Sequence, residues 1–337
     1  MKTKFILFFV LASFISVHSQ TLTLVSEFSG IPLSKVMVFS SDGKLVTTSD
    51  IYGTIDKVAL DPNKSEYSLI YDNFVIGKLN QADFNQPVIK LREKIVDVEP
   101  VVIKDNAKAK YILLKGNFNT YVFVNNKLNS YGDGIITFVF DNKTKELRSK
   151  KVQQYRVFEL LNPNDVRKNT SEWDYKFFLN LPDMNSLVNI NDFKNKENTV
   201  VKEVSASGKD IVEVRKKLLQ DKEFSLLGYR FFDSDTAIDF SFGKGSKKSY
   251  RDLLEFSDLR KVKLKHKSEP NFNQIIVQKN FYPTEMEFSD QVQVDDVKFR
   301  PGSSKYKTQF WQEDSFPNMQ KVFESFFKND LREVKNK

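Results

Sequence analysis

The chain has 337 residues, with 52 Lys and Arg against 44 Asp and Glu, a net charge of +8, two His and no Cys. Hydrophobic residues at 40% and aromatic residues at 13%, 31 Phe among them, suffice for packed cores and exclude general disorder. The lack of Cys removes disulfide frameworks, thiol nucleophiles, iron–sulfur sites, Cys-ligated zinc and a lipid-bearing N-terminal Cys.

Residues 1–19 open with Lys2 and Lys4, continue with an apolar run over 5–17, and end with small residues at Val17 and Ser19. That order is the basic, apolar and cleavage-site order of a secretory signal peptide, with Gln20 as the expected mature N-terminus. The apolar run is shorter than the roughly 20 residues of a membrane span. The expectation is an exported protein with no transmembrane segment after cleavage. His18 falls within the leader, which leaves His266 alone in the mature chain, too few for a multi-His metal site.

From residue 21 to about 103 the pattern is period two, interrupted by turn residues. Residues 22–25, 35–39, 44–48, 54–58, 67–71, 74–76 and 87–91 read as strands, with turns at 30–32, 42–43 and 50–53. Short strands at such spacing predict an antiparallel sandwich. Gly43 after Asp42 suits a tight hairpin, and Gly53 three residues after Asp50 suits a turn begun by an Asx side chain.

Gly30-Ile-Pro-Leu33, then Val36, Val38, Gly43, Thr47-Thr48, Asp50 and Gly53 resemble the carboxypeptidase-regulatory-like domain of exported Bacteroidetes proteins. The resemblance covers residues 21–95 and departs from the family pattern at Ser49 and Thr54. It implies a seven-stranded, transthyretin-like β-sandwich. It implies no peptidase activity, since the zinc ligand pair His-x-x-Glu and a third His are absent.

Residues 104–110 are charged, with no apolar residue but Ala, and read as a linker between a first domain (20–103) and a second (111–337). In the second, residues 111–114, 120–124 and 134–140 read as strands. Residues 110–116 and 131–134 are similar to uncharacterised flavobacterial secreted proteins, which brings no activity. Residues 151–159 read as a strand with Arg156 and Glu159 exposed. Apolar residues at 211, 214, 218 and 219 predict a helix over 210–219. Residues 223–232 and 236–242 predict a hairpin, followed by a basic turn at 243–248. Met319, Val322, Phe323, Phe326 and Phe327 predict a C-terminal amphipathic helix over 317–331. The expected fold class is mainly β: an N-terminal seven-stranded antiparallel β-sandwich, then a β-rich α+β region closed by that helix.

The candidate chemical sites each have a structural alternative. His266 sits among Lys261, Lys263, Lys265 and Lys267, which disfavours the imidazolium a catalytic base must become. Gly243-Lys-Gly-Ser-Lys-Lys248 lacks phosphate-loop spacing and reads as a turn. Asp233, Asp235 and Asp239 invite a calcium reading, but strand alternation resumes at Ile238. Glu172 and Asp174 flank Trp173 at a spacing near that of glycosidase carboxylates, and equally fit exposed acids beside a buried Trp. Trp311 reads as a clasp on the core. Residues 261–267 alternate Lys with Val and Leu, a strand with one basic face; it reads as an edge on which Lys discourages aggregation, or as a surface for an anionic polysaccharide or lipid headgroup. The Lys residues are scattered rather than clustered with aromatics, which argues against nucleic acid.

No residue is assigned a catalytic, cofactor or metal role, and no cofactor is expected. The reading is of an exported, non-enzymatic binding or structural protein of the bacterial cell envelope, with a glycan or another envelope protein as partner. The expected compartment is the periplasm, with the cell surface or medium as alternatives. The competing readings are a carboxylate-based glycan hydrolase acting through Glu172 and Asp174, and an accessory subunit of an outer-membrane receptor.

Overall fold

The computed structural model describes residues 21–50, 52–71, 74–93, 102–104, 108–162, 175–184, 194, 196–206, 208–226, 228–314, 316 and 330–335. It is mainly β, with multiple sheets and no helix of seven or more residues among the described residues. The leader, Glu172 to Asp174 and all of the predicted C-terminal helix except Asp330 and Leu331 lie outside the described residues.

The N-terminal region forms two sheets. β1 (Thr21–Ser26) lies between β4 (Thr54–Asp56) and β7 (Val88–Leu91). The second sheet runs in the order β3 (Leu45–Thr48), β2 (Met37–Ser40), β5 (Glu66–Tyr71) and β6 (Phe74–Asn80). Leu22, Leu24, Ile55 and Leu91 from one sheet and Val38, Tyr67, Leu69 and Leu79 from the other share a buried cluster. The pairing departs from all-antiparallel at one place, because β1 and β7 run parallel. The Asp50 turn is built as its residue types predict. Asp50 Oδ1 accepts from the Tyr52 and Thr54 amides at 2.9 and 2.8 Å, and Gly53 has φ +69° with the Leu24 carbonyl where a Cβ would sit.

The second region is dominated by one sheet of long antiparallel strands, in the order β12 (Thr199–Ala206), β13 (Lys209–Leu226), β14 (Tyr229–Gly243), β15 (Leu253–His266), β16 (Asn273–Ser289), β9 (Tyr111–Val124), β10 (Lys127–Asp141), β11 (Leu147–Leu160) and β17 (Leu331–Glu333). β8 (Val102–Lys104) adds in parallel along β16 at Glu285–Glu287. Side chains alternate between two faces along each strand. One face carries Leu114, Phe118, Val122, Phe138, Phe240, Phe256 and Phe281 in the largest core cluster. The other bears Tyr121, Phe123, Tyr131, Phe158, Leu259 and Ile276, which pack with Met37, Phe39, Leu45 and Ile70 of the N-terminal region. A backbone bond from Leu45 N to Asn126 O, 2.9 Å, adds to this contact. The N-terminal sheets therefore sit on the second face.

Several expectations are corrected here. Residues 210–219 lie within β13, not in a helix: Val212 and Val214 are buried, and the segment is hydrogen-bonded to strands on both sides, which β-branched residues favour. The predicted 223–232 and 236–242 hairpin is instead the end of β13 turning into a continuous β14. Asp233 there is a bulge residue (φ +51°) at the register shift between Phe232 and Ser234. The Lys261–Lys267 segment is no edge, because β15 lies between β14 and β16. Within 104–110, Lys104 ends β8, Lys108 and Lys110 are exposed, and Ala109 is 4% exposed in the core. Leu331 belongs to strand β17 rather than to a helix.

Arg156, expected on the surface, is buried. Its Nε donates to Asp133 Oδ1 at 3.0 Å, and its guanidinium lies 4.1 Å from the Trp311 ring centre and 5.1 Å from that of Phe158. Burial pushes the Asp133 carboxyl up, and the Arg156 charge opposes that shift. Arg156→Met should cost about 3–5 kcal/mol, because it strands a buried carboxylate, whereas adding Asp133→Leu should recover more than half; urea denaturation of the three proteins checks both. Phe39, fully buried and 6.0 Å from Phe123, joins the two regions. Phe39→Ala should cost about 3–5 kcal/mol while one cooperative transition is kept, and two separated transitions in the parent protein would contradict a shared core.

Candidate functional site

The second face of the large sheet carries a polar row at mid-strand. Cross-strand register aligns Arg156, Asp133, Asn119, Asn280, Ser257, Asp239 and Glu213. Asn280 Nδ2 donates to Asn119 Oδ1 at 2.8 Å. A cation closes each end: Arg156 at one, and Lys35 of the N-terminal region at the other, 2.7 Å from Asp239 Oδ2. Burial and the adjacent Asp239 charge push the Glu213 carboxyl up, with Ser34, Lys35 and Arg215 holding it down.

Four residues along β14 and β15 the row opens to solvent. Lys261 pairs across from Asp235, and its ammonium donates to Thr48 Oγ1 of β3. Beyond this contact the N-terminal sheets cease to cover the face, and a notch of about 250 Å³ is lined by Asp233, Ser234, Asp235, Lys261, Val262, Lys263 and Gln274. Asp235 Oδ2 lies 3.8 Å from Arg215 Nη1, while its Oδ1 is buried with no donor. Lys263 Nζ meets Asp233 Oδ2 at 2.9 Å. At the outer rim Phe232 and Phe272 stand 5.9 Å apart. Lys263 lies 5.8 Å from the Phe232 ring centre, and Lys265 and Arg230 lie 5.1 and 5.9 Å from that of Phe272.

The notch thus gathers Asp233 and Asp235 of β14 with the basic strand that the sequence singles out, the bulge at Asp233 deciding how, while Asp239 stays in the polar row. Asp235 and Asp239 share a face four residues apart, about 13 Å along a strand, and each carboxylate meets a cation rather than a common centre. Among the described residues no three metal-ligating side chains converge. The notch presents ammonium donors, a partly accessible carboxylate and an amide, with two rings at its rim, which are recognition groups for a polar ligand.

Other candidates lie apart from it. His266 ends β15 on the opposite face, with its ring 5.0 Å from that of Tyr229 and Nδ1 2.7 Å from Ser268 Oγ. Gly243–Lys248 is a turn closed by Ser246 N to Gly243 O. Trp311 packs on Phe310, Tyr306 and Arg156, a clasp on the core. Sequence reasoning missed Phe232, Phe272 and Gln274. Phe232 and Gln274 face Lys263 from neighbouring strands, and that register has no local signal.

Burial pulls the Lys261 ammonium down to about 8, against the opposing charge of Asp235. The folded value lies below the unfolded one of 10.5, so the unfolded chain holds this proton more tightly and folding gains stability as pH rises between those values. The stability of the parent relative to Lys261→Met should be flat below about pH 8 and should rise between about 8 and 10.5; urea midpoints of both proteins across that range measure it.

No family model matches the chain, and no curated protein does. A solved structure described as "Lipid-protein interactions in lipovitellin" aligns with 57% of this chain and 27% of its own, at 8% identity and a TM-score of 0.30. The chain thus spans about a quarter of that structure's length, and a likeness this slight carries no argument about fold or ligand.

Proposed function

We propose that the protein is an exported, non-enzymatic binding protein of the bacterial cell envelope, in which residues 20–103 form a sandwich of the carboxypeptidase-regulatory-like kind set against a large ligand-presenting sheet. Seven strands in two sheets over one cluster, with the Asp50 turn intact, support the first part. The observation that carries the binding role is the notch: its ammoniums and the Asp235 carboxylate, with two rings at the rim, lie beside the Lys261–Thr48 contact with the N-terminal sheets. Outside it, the buried Lys35–Asp239 pair joins the two regions.

Fractionation of the source cells with mass spectrometry should recover the protein in the envelope fraction beginning at Gln20. A protein beginning at Met1 in the cytoplasmic fraction would contradict export. Purified mature protein should release no reducing ends from a glycan panel. Turnover that disappears in both Glu172→Ala and Asp174→Ala would replace this reading with the hydrolase one.

A further inference from the structure

We propose that the notch and its rim form a binding site for a uronic-acid-bearing oligosaccharide, the sugar carboxylate meeting Lys263 and Lys265 and a sugar hydroxyl donating to Asp235. This names the ligand class of the binding role proposed above and rests on it.

Three observations combine. Lys261, Lys263 and Lys265 project from one face of an interior strand at alternate positions, about 6.6 Å apart, so the row tracks an extended chain rather than a single anion. The strand is paired on both sides at Lys261 and Lys263, and on the β14 side at Lys265, so Lys261 and Lys263 are not needed to protect an edge. Among the described residues the ion pair of Lys263 is an exposed one with Asp233, with side chains 45% and 48% accessible. Such pairs are worth little, and an incoming carboxylate can take Asp233's place at small cost.

The second observation separates a sugar from a simple anion. Asp235 lines the notch with its side chain 30% accessible, and its buried Oδ1 has no donor. A carboxylate acceptor left unmade is costly, and sulfate or phosphate-ester dianions have no proton to give it. A sugar hydroxyl has one, with Gln274 beside it to supply amide hydrogen bonds. The third is the rim. Phe232 and Phe272 offer apolar ring surface beside Lys263 and Lys265, which suits the C–H face of a pyranose carrying a carboxylate at its edge.

Isothermal titration calorimetry of the mature protein with trigalacturonate and with short oligomannuronate tests this, with galactotriose as the uncharged counterpart. At least one uronate should bind saturably and more tightly than galactotriose. Lys263→Met should weaken that binding about 10-fold or more, as expected for a charge-assisted hydrogen bond. Phe272→Ala and Asp235→Asn should each weaken it several-fold, Asp235→Asn because it turns an acceptor into an amide. Thermal melts close to the parent's establish that the variants are folded. Absence of binding to every uronate by the folded parent would overturn the site while leaving the export and non-enzymatic reading intact. Equal binding of galactotriose would overturn the acidic specificity. Tighter binding to duplex DNA or to phosphatidylglycerol vesicles than to any uronate, unaffected by Phe272→Ala, would reduce the surface to a general polyanion patch and overturn it too.

Discussion

The structure depends on β9 being buried on both faces. Of its 14 residues only Tyr111 and Lys115 keep partial exposure. Its even-numbered side chains, Ile112, Leu114, Phe118, Val122 and Val124, feed the large core. Its odd-numbered Tyr121 and Phe123 meet the N-terminal sheets. A strand in that position forces cover on both sides of the sheet, as in the central strands of layered α/β proteins, although here the cover on one side is itself two sheets. Gly116 and Gly134 show how tight the layering is: a Cβ on Gly116 would strike the Tyr282 carbonyl and the Phe281 ring, and one on Gly134 the Gln154 carbonyl and the Phe118 ring.

Two-sided burial creates a problem that the polar row answers in part. Asn119, Asp133 and Asn280 are all within 2% of fully buried, and polar groups there cost free energy unless they are partnered. Partners across strands are supplied to Asn119 Oδ1 and to Asp133, while Asn119 Nδ2, Asp239 Oδ1 and Glu213 Oε1 are left without a hydrogen bond; the ionic ends are met by Arg156 under Trp311 and by Lys35 from the N-terminal region. Charge is thereby matched at the seam between regions, where it sets orientation more than it adds stability.

Local chemistry was legible; register was not. The turns at Asp42-Gly43 and Asp50–Gly53 depend on residues within four positions of one another, and both form as their residue types predict. The first sheets follow from those turns and period-two alternation. Residues 210–219 misled because Ile211, Val214, Leu218 and Leu219 fit a helical stripe, and only pairing with strands on both sides, which no local pattern records, decided for β. Arg156 misled because Asp133 stands 23 residues earlier, across a hairpin. At the candidate site the basic alternation of 261–265 was visible and so were the three aspartates. The meeting of Asp233 and Asp235 with the lysines, and the arrival of Phe232, Phe272 and Gln274 beside them, came from a bulge and two strand registers.

The cluster between the regions runs from Met37 to Leu331, almost the length of the chain, and this bears on how the protein is made. The N-terminal sheets can close their own core once residue 91 has been synthesised, but Met37, Phe39, Leu45 and Ile70 then present an apolar patch with nothing yet built to receive it. The edge of β11 likewise waits for β17. Contacts of such sequence separation are slow to form, and exposed apolar surface and open strand edges invite association meanwhile. A chain of this design has its most vulnerable interval late in synthesis, when most of it exists and its seam is still open.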